Sequence, residues 1–205
     1  MTSRRAVLMG VFSPGFLGRR RERDPRLPPG QHSVTNFPVL SAGPIPNVHL
    51  DRWTFGITNE RNQTTGYTWP QFQTLPTEDV TVDLHCVTRW SQFDMLWRGV
   101  SLDLLLEGVE TTASFAVARS YGGYTTNIPL DELRGGRAWI ATRYDGKPLS
   151  DSHGGPARLL VPHLYLWKSA KWINRITLHT HDQPGFWETN GYNNHGDPWR
   201  EERYW

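Results

Sequence analysis

The chain has a single cysteine, and this scarcity already excludes several classes of protein. One thiol among 205 residues cannot form an internal disulfide or build a Cys-rich zinc or iron–sulfur framework. No apolar run approaches the roughly 18 residues that a membrane helix needs. The sequence also lacks the glycine patterns of P-loop and dinucleotide-binding proteins, and it has no Gly-x-Ser-x-Gly elbow. These absences argue against membrane spans, nucleotide-binding α/β folds and α/β-hydrolases.

Positive charge is concentrated at one end of the chain. Residues 1–27 contain seven arginines and two acidic residues, so this segment carries +5 and the remainder −3 within a total of +2. A nucleic-acid-binding protein would carry its basic stripe on the folded body, so we expect no nucleic-acid partner. The division predicts a basic, Pro- and Gly-rich N-terminal arm over residues 1–30 and one domain over residues 31–205.

Arg4-Arg5 precedes a short apolar stretch, residues 6–12, in an order that resembles a twin-arginine export signal. The stretch is only seven residues long, contains Gly10 and runs into Pro14 and further arginines. A secretory signal has a longer apolar region and a small-residue cleavage site. We therefore expect a cytoplasmic protein, with export as the less favoured alternative.

Turn-forming residues and tryptophan are abundant, with 19 glycines, 15 prolines and 10 tryptophans. Such a composition predicts many turns and short elements. Period-two alternation or short apolar runs predict strands at 53–57, 80–87, 114–120, 138–144, 158–161 and 172–178. Short helices are predicted after Thr68, Ser101 and Pro129. We therefore expect an α+β fold in which strands dominate.

Cys86 lies near the end of the most regular of these strands. Alternation over residues 80–87 places every second side chain, Cys86 included, on one core-facing side. A cysteine on such a row usually contributes packing alone. The polar and cationic segment that follows, with Arg89, instead favours a thiolate, which is the form that ligates metals or attacks electrophiles. The residues by themselves leave both interpretations open.

Two basic segments have the chemistry to bind an anion. His153-Gly154-Gly155-Pro156-Ala157-Arg158 offers a guanidinium fork for a phosphate, and its glycines would let the backbone approach a ligand closely. Ten residues further on, Lys168-Ser169-Ala170-Lys171 places two ammonium groups around small residues. For either segment alone, a solvated surface turn is the commoner explanation.

Taken together, five segments resemble the molybdopterin-binding domain of the sulfite oxidase family, and especially its bacterial members related to the molybdoenzyme that reduces methionine sulfoxide. They are Asp83-Leu84-His85-Cys86-Val87-Thr88-Arg89-Trp90-Ser91, Trp97-Arg98-Gly99-Val100, Gly122-Gly123-Tyr124-Thr125-Thr126-Asn127, the two basic segments of residues 153–172, and residues 185–205. Their order is the one expected of that family. The resemblance implies a sulfite-oxidase-type fold of mixed sheets and short helices that binds a molybdenum–molybdopterin cofactor.

The resemblance also implies roles for individual residues. Cys86 would supply a thiolate to molybdenum beside the two dithiolene sulfurs of the pterin, and Arg89 is the candidate for attracting an anionic substrate. The residues that would contact the cofactor are His153, Arg158, Lys168, Ser169, Ala170, Lys171, Ser120, Thr35, Pro38 and Val39. The last three lie where relatives have an Asn and a Tyr-Glu pair, so we expect only backbone contacts from them.

Thr88 departs from the family pattern, because the reductase relatives carry an acidic residue two positions after the cysteine.

We expect a molybdenum-dependent oxidoreductase that transfers an oxygen atom to or from a small substrate, sulfite-like or sulfoxide-like, in a two-electron reaction. No segment resembles a cytochrome domain, so the expected electron partner is a separate flavin, haem or ferredoxin-type protein. The alternatives are a non-catalytic molybdopterin- or anion-binding protein and a β-rich interaction protein whose cysteine is only packing.

Overall fold

Residues 24–205 are described by the computed structural model, and within them eleven strands form two sheets. The strands are β1 (His32–Ser33), β2 (Thr54–Thr58), β3 (Thr64–Thr68), β4 (Glu78–His85), β5 (Trp90–Ser101), β6 (Phe115–Ser120), β7 (Thr125–Pro129), β8 (Trp139–Tyr144), β9 (Lys147–Pro148), β10 (Arg158–Leu160) and β11 (Ile173–His179). The helices are α1 (Trp69–Gln73), α2 (Leu102–Leu106) and α3 (Phe186–Thr189), with 3₁₀ turns at Leu130–Leu133, Asp151–His153 and Leu166–Lys168. This content confirms the predicted β-rich α+β class.

The six-stranded sheet is organised around β5, its longest strand. Its order is β1-β5-β8-β10, with β4 paired to β5 and β9 paired to β8. β1 runs parallel to the start of β5, and every other pair in this sheet is antiparallel. Cys86 lies in the hairpin loop between β4 and β5, and Arg158 is the first residue of β10. One sheet therefore carries both the cysteine and the arginine singled out by the sequence.

The five-stranded sheet supplies the opposite side of the molecule and has the order β3-β2-β11-β6-β7. β2 is parallel to β11, and the remaining pairs are antiparallel, so both sheets are mixed as expected. β6 ends at Ser120, and the turn into β7 contains Gly122 and Gly123 with φ of 90° and 84°. This left-handed conformation favours glycine, because a Cβ would be crowded there.

The main hydrophobic cluster joins side chains from both sheets. Phe55 and Ile176 belong to the five-stranded sheet, Val100, Ile140 and Leu159 belong to the six-stranded sheet, and all five are fully buried. Burying one such side chain stabilises the fold by about 1.5–3 kcal/mol relative to leaving it exposed. The packing of this cluster joins the two sheets.

Local sequence rules account for the helix starts but not for every helix type. Thr68 precedes α1 and Ser101 caps α2, as predicted. The third predicted helix is instead a 3₁₀ turn, Leu130–Leu133. Gly135 and Gly136 follow it with φ of 72° and 68°, so the backbone leaves the helical region within two residues of its end.

The predicted arm and the twin-arginine-like stretch lie mostly outside the described residues. Of the arm, residues 24–30 are described, and Arg26 among them lies against β5. Arg26 donates a hydrogen bond to Asp94 (2.9 Å), and its guanidinium lies 4.2 Å from the ring centre of Phe93. Across the described part of the chain, no helix is both long enough and apolar enough to span a bilayer.

Gly99 marks the closest approach of β5 to β8, and it generates a stability prediction. A Cβ at residue 99 would lie 2.7 Å from the carbonyl oxygen of Ile140, a backbone atom that cannot rotate away. We therefore expect Gly99→Ala to lower the free energy of unfolding by about 1–3 kcal/mol. Gly66→Ala is the control, because a Cβ there meets nothing closer than 3.8 Å. Urea denaturation measures both, and a stable Gly99→Ala protein would contradict the close approach.

Candidate functional site

A cavity of about 440 Å³ is lined by segments attached to both sheets. Its wall combines the β4–β5 hairpin loop, the β6–β7 turn, the irregular segment after β1, the two basic segments and helix α3. The lining residues are Phe37, Pro38, Leu40, Ser41, Ala42, Gly43, Pro44, Cys86, Val87, Thr88, Ser120, Gly122, Gly123, Tyr124, His153, Arg158, Leu166, Trp167, Ser169, Ala170, Lys171, Trp172, Phe186, Trp187 and Tyr192. Segments far apart in the sequence thus converge on one pocket, which is the usual arrangement of a ligand site.

Cys86 lies in a tight hairpin loop and not, as predicted, within the strand. Its amide donates to the carbonyl of Trp90, and the amide of Arg89 donates to the carbonyl of Cys86, both at 2.9 Å. Arg89 closes the loop in a left-handed conformation with φ of 77°. A turn followed by one left-handed residue is a common three-residue hairpin connection.

The predicted core-facing row is only partly buried, and the reason is an irregularity in the hairpin. Val80 and Val82 are half-buried, whereas Leu84 and Cys86 are buried. The pairing register shifts between Val82 and Leu84, which breaks strict alternation along β4. His85 and Cys86 are nevertheless both buried, because Trp199 packs against His85 and Cys86 belongs to a separate cluster with Trp90 and Tyr165.

Cys86 belongs to the cavity wall, and the residue is 6% exposed. The Thr88 hydroxyl donates a hydrogen bond to Sγ at 3.1 Å. Burial raises the pKa of the Cys86 thiol, while the Thr88 hydrogen bond and the nearby charge of Arg203 act in the opposite direction. Thr88, which replaces the acidic residue of the reductase relatives, is therefore in direct contact with the sulfur of Cys86.

Arg158 is a buried cation whose partners are all neutral. It is 2% exposed and donates to the carbonyls of His153 (3.0 Å) and Ser169 (2.9 Å). No ion pair joins it to any carboxylate of the described residues, and burial lowers its pKa to about 10. Burying an uncompensated charge is unfavourable unless an opposite charge approaches it. The cavity wall is where such an anion would enter.

Lys171, a half-buried cation on the same wall, is also bound by neutral oxygen atoms. Its ammonium group donates to the carbonyls of Leu40 (2.8 Å) and Ser152 (2.9 Å) and to the hydroxyl of Ser41 (2.6 Å). Burial, and secondarily the charge of Arg158, lower the pKa of Lys171 to about 8. Two cations that repel each other on one cavity wall favour binding of a multiply charged anion such as a phosphate ester.

Two further polar groups complete this part of the wall. The His153 ring stacks on Phe37 with 4.2 Å between ring centres, and its Nε2 donates to the Phe37 carbonyl at 3.2 Å. Burial lowers the pKa of His153, which favours the neutral ring near pH 7. The Ser120 hydroxyl is buried and has no hydrogen-bond partner among the described residues. A buried hydroxyl of this kind is suited to a polar ligand atom.

The two glycines of the first basic segment serve a different purpose from the one predicted. A Cβ on Gly154 would lie 2.9 Å from the side chain of Lys171, and a Cβ on Gly155 would lie 2.4 Å from the carbonyl oxygen of Leu149. Neither glycine belongs to the cavity lining. Their small size lets the segment pack against its own neighbours and thereby supports Lys171.

Lys168 does not join Lys171 at the wall, contrary to the expected pair of ammonium groups. Its side chain is completely buried and forms an ion pair with Glu188 at 2.6 Å. It also donates to the carbonyls of Asn127 (2.7 Å) and Asn194 (2.6 Å). The anion-binding charge of this segment therefore comes from Lys171, and a contact of Lys168 with a cofactor stays a prediction.

The remaining predicted residues divide between the wall and the exterior. Pro38, Ser169 and Ala170 line the cavity, whereas Arg89, Thr35 and Val39 are exposed and lie outside the lining. For Arg89 the hairpin geometry explains the difference, since this residue closes the loop on its outer side. Substrate attraction by Arg89 and backbone contacts by Thr35 and Val39 stay predictions.

Sequence reasoning missed the aromatic part of the wall. Trp167 and Trp187 both contact Tyr192, with 5.0 and 4.8 Å between ring centres. The aromatic-rich end of the sequence was the available signal, but its placement beside Cys86 depends on tertiary packing. Within residues 24–205 no group of three His, Cys, Asp or Glu side chains could hold a metal ion. A metal at this wall would need ligands from a cofactor in addition to Cys86.

Comparison with known proteins agrees with this chemistry. The profile described as "Oxidoreductase molybdopterin binding domain" matches residues 42–187. The uncharacterized oxidoreductase YuiH of Bacillus subtilis is 36% identical over 194 residues, covering 92% of this chain and 98% of that protein. The protein-methionine-sulfoxide reductase catalytic subunit MsrP of Pseudomonas syringae is 28% identical over 179 residues, covering 78% of this chain and 52% of that protein.

A solved structure supports the same fold. The sulfane dehydrogenase SoxCD from Paracoccus pantotrophus aligns with a TM-score of 0.59 and 18% identity, over 67% of this chain and 41% of that chain. The chain thus spans nearly all of YuiH but only about half of the other proteins compared here. With a matching profile over most of the domain, a near full-length relative and a shared fold, this chain belongs to the oxidoreductases with a sulfite-oxidase-like molybdopterin-binding domain.

Proposed function

We propose that the protein is a molybdopterin-dependent oxidoreductase that performs two-electron oxygen-atom transfer on a small substrate. The observation that carries this proposal is the pairing, in one cavity, of a single cysteine sulfur with two cations, the buried Arg158 and the half-buried Lys171, that have no carboxylate partner among residues 24–205. A sulfur ligand suits a soft metal, and the cations suit the phosphate of its organic carrier. A cysteine sulfur can occur in a cavity without cations, and cations can occur without a cysteine, so their presence in one cavity is what supports the proposal.

The proposal assigns tasks to the polar and aromatic residues of the cavity wall. Arg158 and Lys171 bind the phosphate end of the cofactor, and the Ser120 hydroxyl bonds to a polar atom of the pterin. Cys86 presents its sulfur to the metal end, where Thr88 orients it through the 3.1 Å hydrogen bond. Trp187 and neighbouring rings exclude water from that end. When bound, the molybdenum supplies the two-electron redox chemistry.

The substrate proposal is a small sulfite-like or sulfoxide-like molecule. It draws on the name of the relative MsrP, a protein-methionine-sulfoxide reductase, and on the cavity itself. The side of the wall around Cys86 and Tyr192 is largely aromatic and apolar. Assays with sulfite as the oxygen acceptor, which releases two electrons, and with sulfoxides as oxygen donors, which take up two electrons, decide between the two directions.

We further propose that electrons are exchanged with a separate flavin, haem or ferredoxin-type protein and that the protein works in the cytoplasm. Both proposals rest on the sequence features given above. A second candidate function is a non-catalytic molybdopterin- or anion-binding protein, favoured by Thr88 in the place of the acidic residue. Metal and pterin analysis, followed by turnover with an artificial electron donor, separates the enzyme from the binding protein.

The role of Cys86 generates the first functional prediction. Cys86→Ser should abolish turnover because it removes the soft sulfur ligand, while stability should change by only about 1 kcal/mol because the two side chains are similar in size. Molybdenum content should fall further than pterin content, since the phosphate contacts remain. Turnover, metal content and thermal melting check this, and full activity in Cys86→Ser would contradict the ligand role.

Arg158 generates the second prediction. Arg158→Ala should weaken cofactor binding by about 2–4 kcal/mol, because the phosphate loses a buried charged partner. Arg158→Lys should restore binding only in part, since an ammonium lacks the bidentate fork. Arg98→Ala is the control, because Arg98 is half exposed and paired with Asp79 on the hairpin. Pterin and molybdenum per folded chain are the readouts, and equal content in all variants would exclude Arg158 from the phosphate site.

The pKa of Lys171 makes the affinity of the cavity for anions depend on pH. Burial lowers this pKa to about 8, so the ammonium is charged below pH 8 and loses its proton above it. Anion affinity should therefore be complete below pH 8 and fall as the pH rises through it. Sulfate is the probe, because its own charge is constant over this range. Calorimetric titration of the cofactor-free chain at pH 7 and 9 should show weaker binding at pH 9, and the difference should vanish in Lys171→Met.

A further inference from the structure

The hairpin loop of residues 86–89, here called the Cys86 loop, is held by segments close to the two ends of the described chain. Gln31 donates from Nε2 to the carbonyl of Cys86 (2.9 Å), and the amide of His32 donates to the carbonyl of Arg89 (2.9 Å). Arg203 donates from Nη1 to the carbonyl of Val87 (2.5 Å). Three of the four carbonyl oxygens in the loop are bound in this way. None of the three donor residues lies within residues 42–187.

Arg203 joins three separate parts of the structure behind the loop. Besides the Val87 carbonyl, it donates from Nη2 to the carbonyl of Pro29 at 3.3 Å. Its guanidinium lies 4.9 Å from the ring centre of the buried Tyr165. The side chain is almost completely buried, and its ion-pair contact among the described residues is Glu201 at 4.0 Å. The planar fork is thus divided between the loop and the N-terminal segment.

The Cys86 loop needs external support because its own conformation is unfavourable. Arg89 has φ of 77°, a region that residues other than glycine seldom occupy. A loop that relaxed from this conformation would displace the sulfur of Cys86. Ligands in a metal site must be held within roughly 0.5 Å of their working position. The contacts from outside the hairpin provide this restraint.

We propose that Arg203 is a positioning residue for Cys86, which fixes the loop through the Val87 carbonyl so that the sulfur stays at the cavity wall. This inference rests on the proposed role of Cys86 as a metal thiolate. Gln31 performs the same task through the Cys86 carbonyl as a neutral donor. The position of Cys86 therefore depends on segments that lie before and after residues 42–187, the part of the chain that matches the family profile.

The first test uses hydrogen exchange of the complete, cofactor-free chain. The amides of Cys86 and Arg89 are protected by the hairpin bonds and report directly on loop opening. In Arg203→Met their exchange should be roughly tenfold faster, as expected when a hydrogen bond from a charged donor is lost. Exchange in β11 should not change. Arg200→Met is the matched control, since Arg200 lies in the same segment but is 70% exposed.

Two milder variants keep the test decisive if Arg203→Met fails to fold. Arg203→Lys retains the charge but cannot reach two carbonyls with a planar fork, so its loop exchange should lie between wild type and Arg203→Met. Gln31→Met removes the neutral donor and should accelerate loop exchange by roughly threefold. Unchanged loop exchange in both would overturn the proposal. An equal increase in β11 would also overturn it, because Arg203 would then support the fold in general.

The second test uses the molybdenum-loaded enzyme. Arg203→Met should shift or broaden the sulfur-to-molybdenum charge-transfer absorption and lower kcat while KM stays within about twofold, because substrate binding is not touched. An unchanged absorption band would contradict the positioning role. If the wild-type chain takes up no molybdenum, the proposed function fails, while hydrogen exchange still decides whether Arg203 holds the loop.

Discussion

A buried positive charge that has no carboxylate partner among residues 24–205 is the constraint on which the cavity depends. Arg158 is almost completely buried, and the groups that bind it are backbone carbonyls. Carbonyl dipoles stabilise a guanidinium, but they cannot neutralise it, so the surrounding structure favours the arrival of an anion. Lys171 adds a second charge with the same property. The kind of ligand that the cavity favours consequently depends on its uncompensated positive charge as well as on its shape.

Lys168 shows how the same chain treats a cation that needs no ligand. Three positions before Lys171, its ammonium group is surrounded by Glu188 and by carbonyls of Asn127 and Asn194. The Thr126 hydroxyl and the Trp167 indole donate to the same carboxylate oxygen, so this ion pair is a structural link between β7, the basic segment and α3. Two lysines in one short motif thus have different surroundings, because among the described residues Lys168 has a carboxylate partner and Lys171 has backbone carbonyls and a hydroxyl.

The sequence predicted strands that correspond to β2, β4, β6, β8, β10 and β11, two of the short helices, and three residues that line the cavity, Cys86, Arg158 and Lys171, because period-two patterns and charged motifs are local properties. It did not predict β5, the longest strand, whose sequence has no regular alternation. It did not predict that Cys86 leaves the strand, since the register shift in β4 depends on pairing with β5. The outward position of Arg89 follows from the same hairpin. Gln31 and Arg203 were not identified, because each acts on residues more than 50 positions away through contacts that only the folded chain creates.

The arrangement of the six-stranded sheet explains how one cavity can serve two chemically different ends of a ligand. Cys86 lies on the β4–β5 hairpin and Arg158 begins β10, with β8 paired between β5 and β10. A hydrogen-bonded sheet is rigid, so strand pairing fixes the spacing between the start of β10 and the hairpin whose loop carries Cys86. The loop at the sulfur end is the less rigid partner, and its restraint by Gln31 and Arg203 extends the rigidity of the sheet to Cys86. Precise placement of a bound group then follows from the backbone, while the side chains supply charge and ligation.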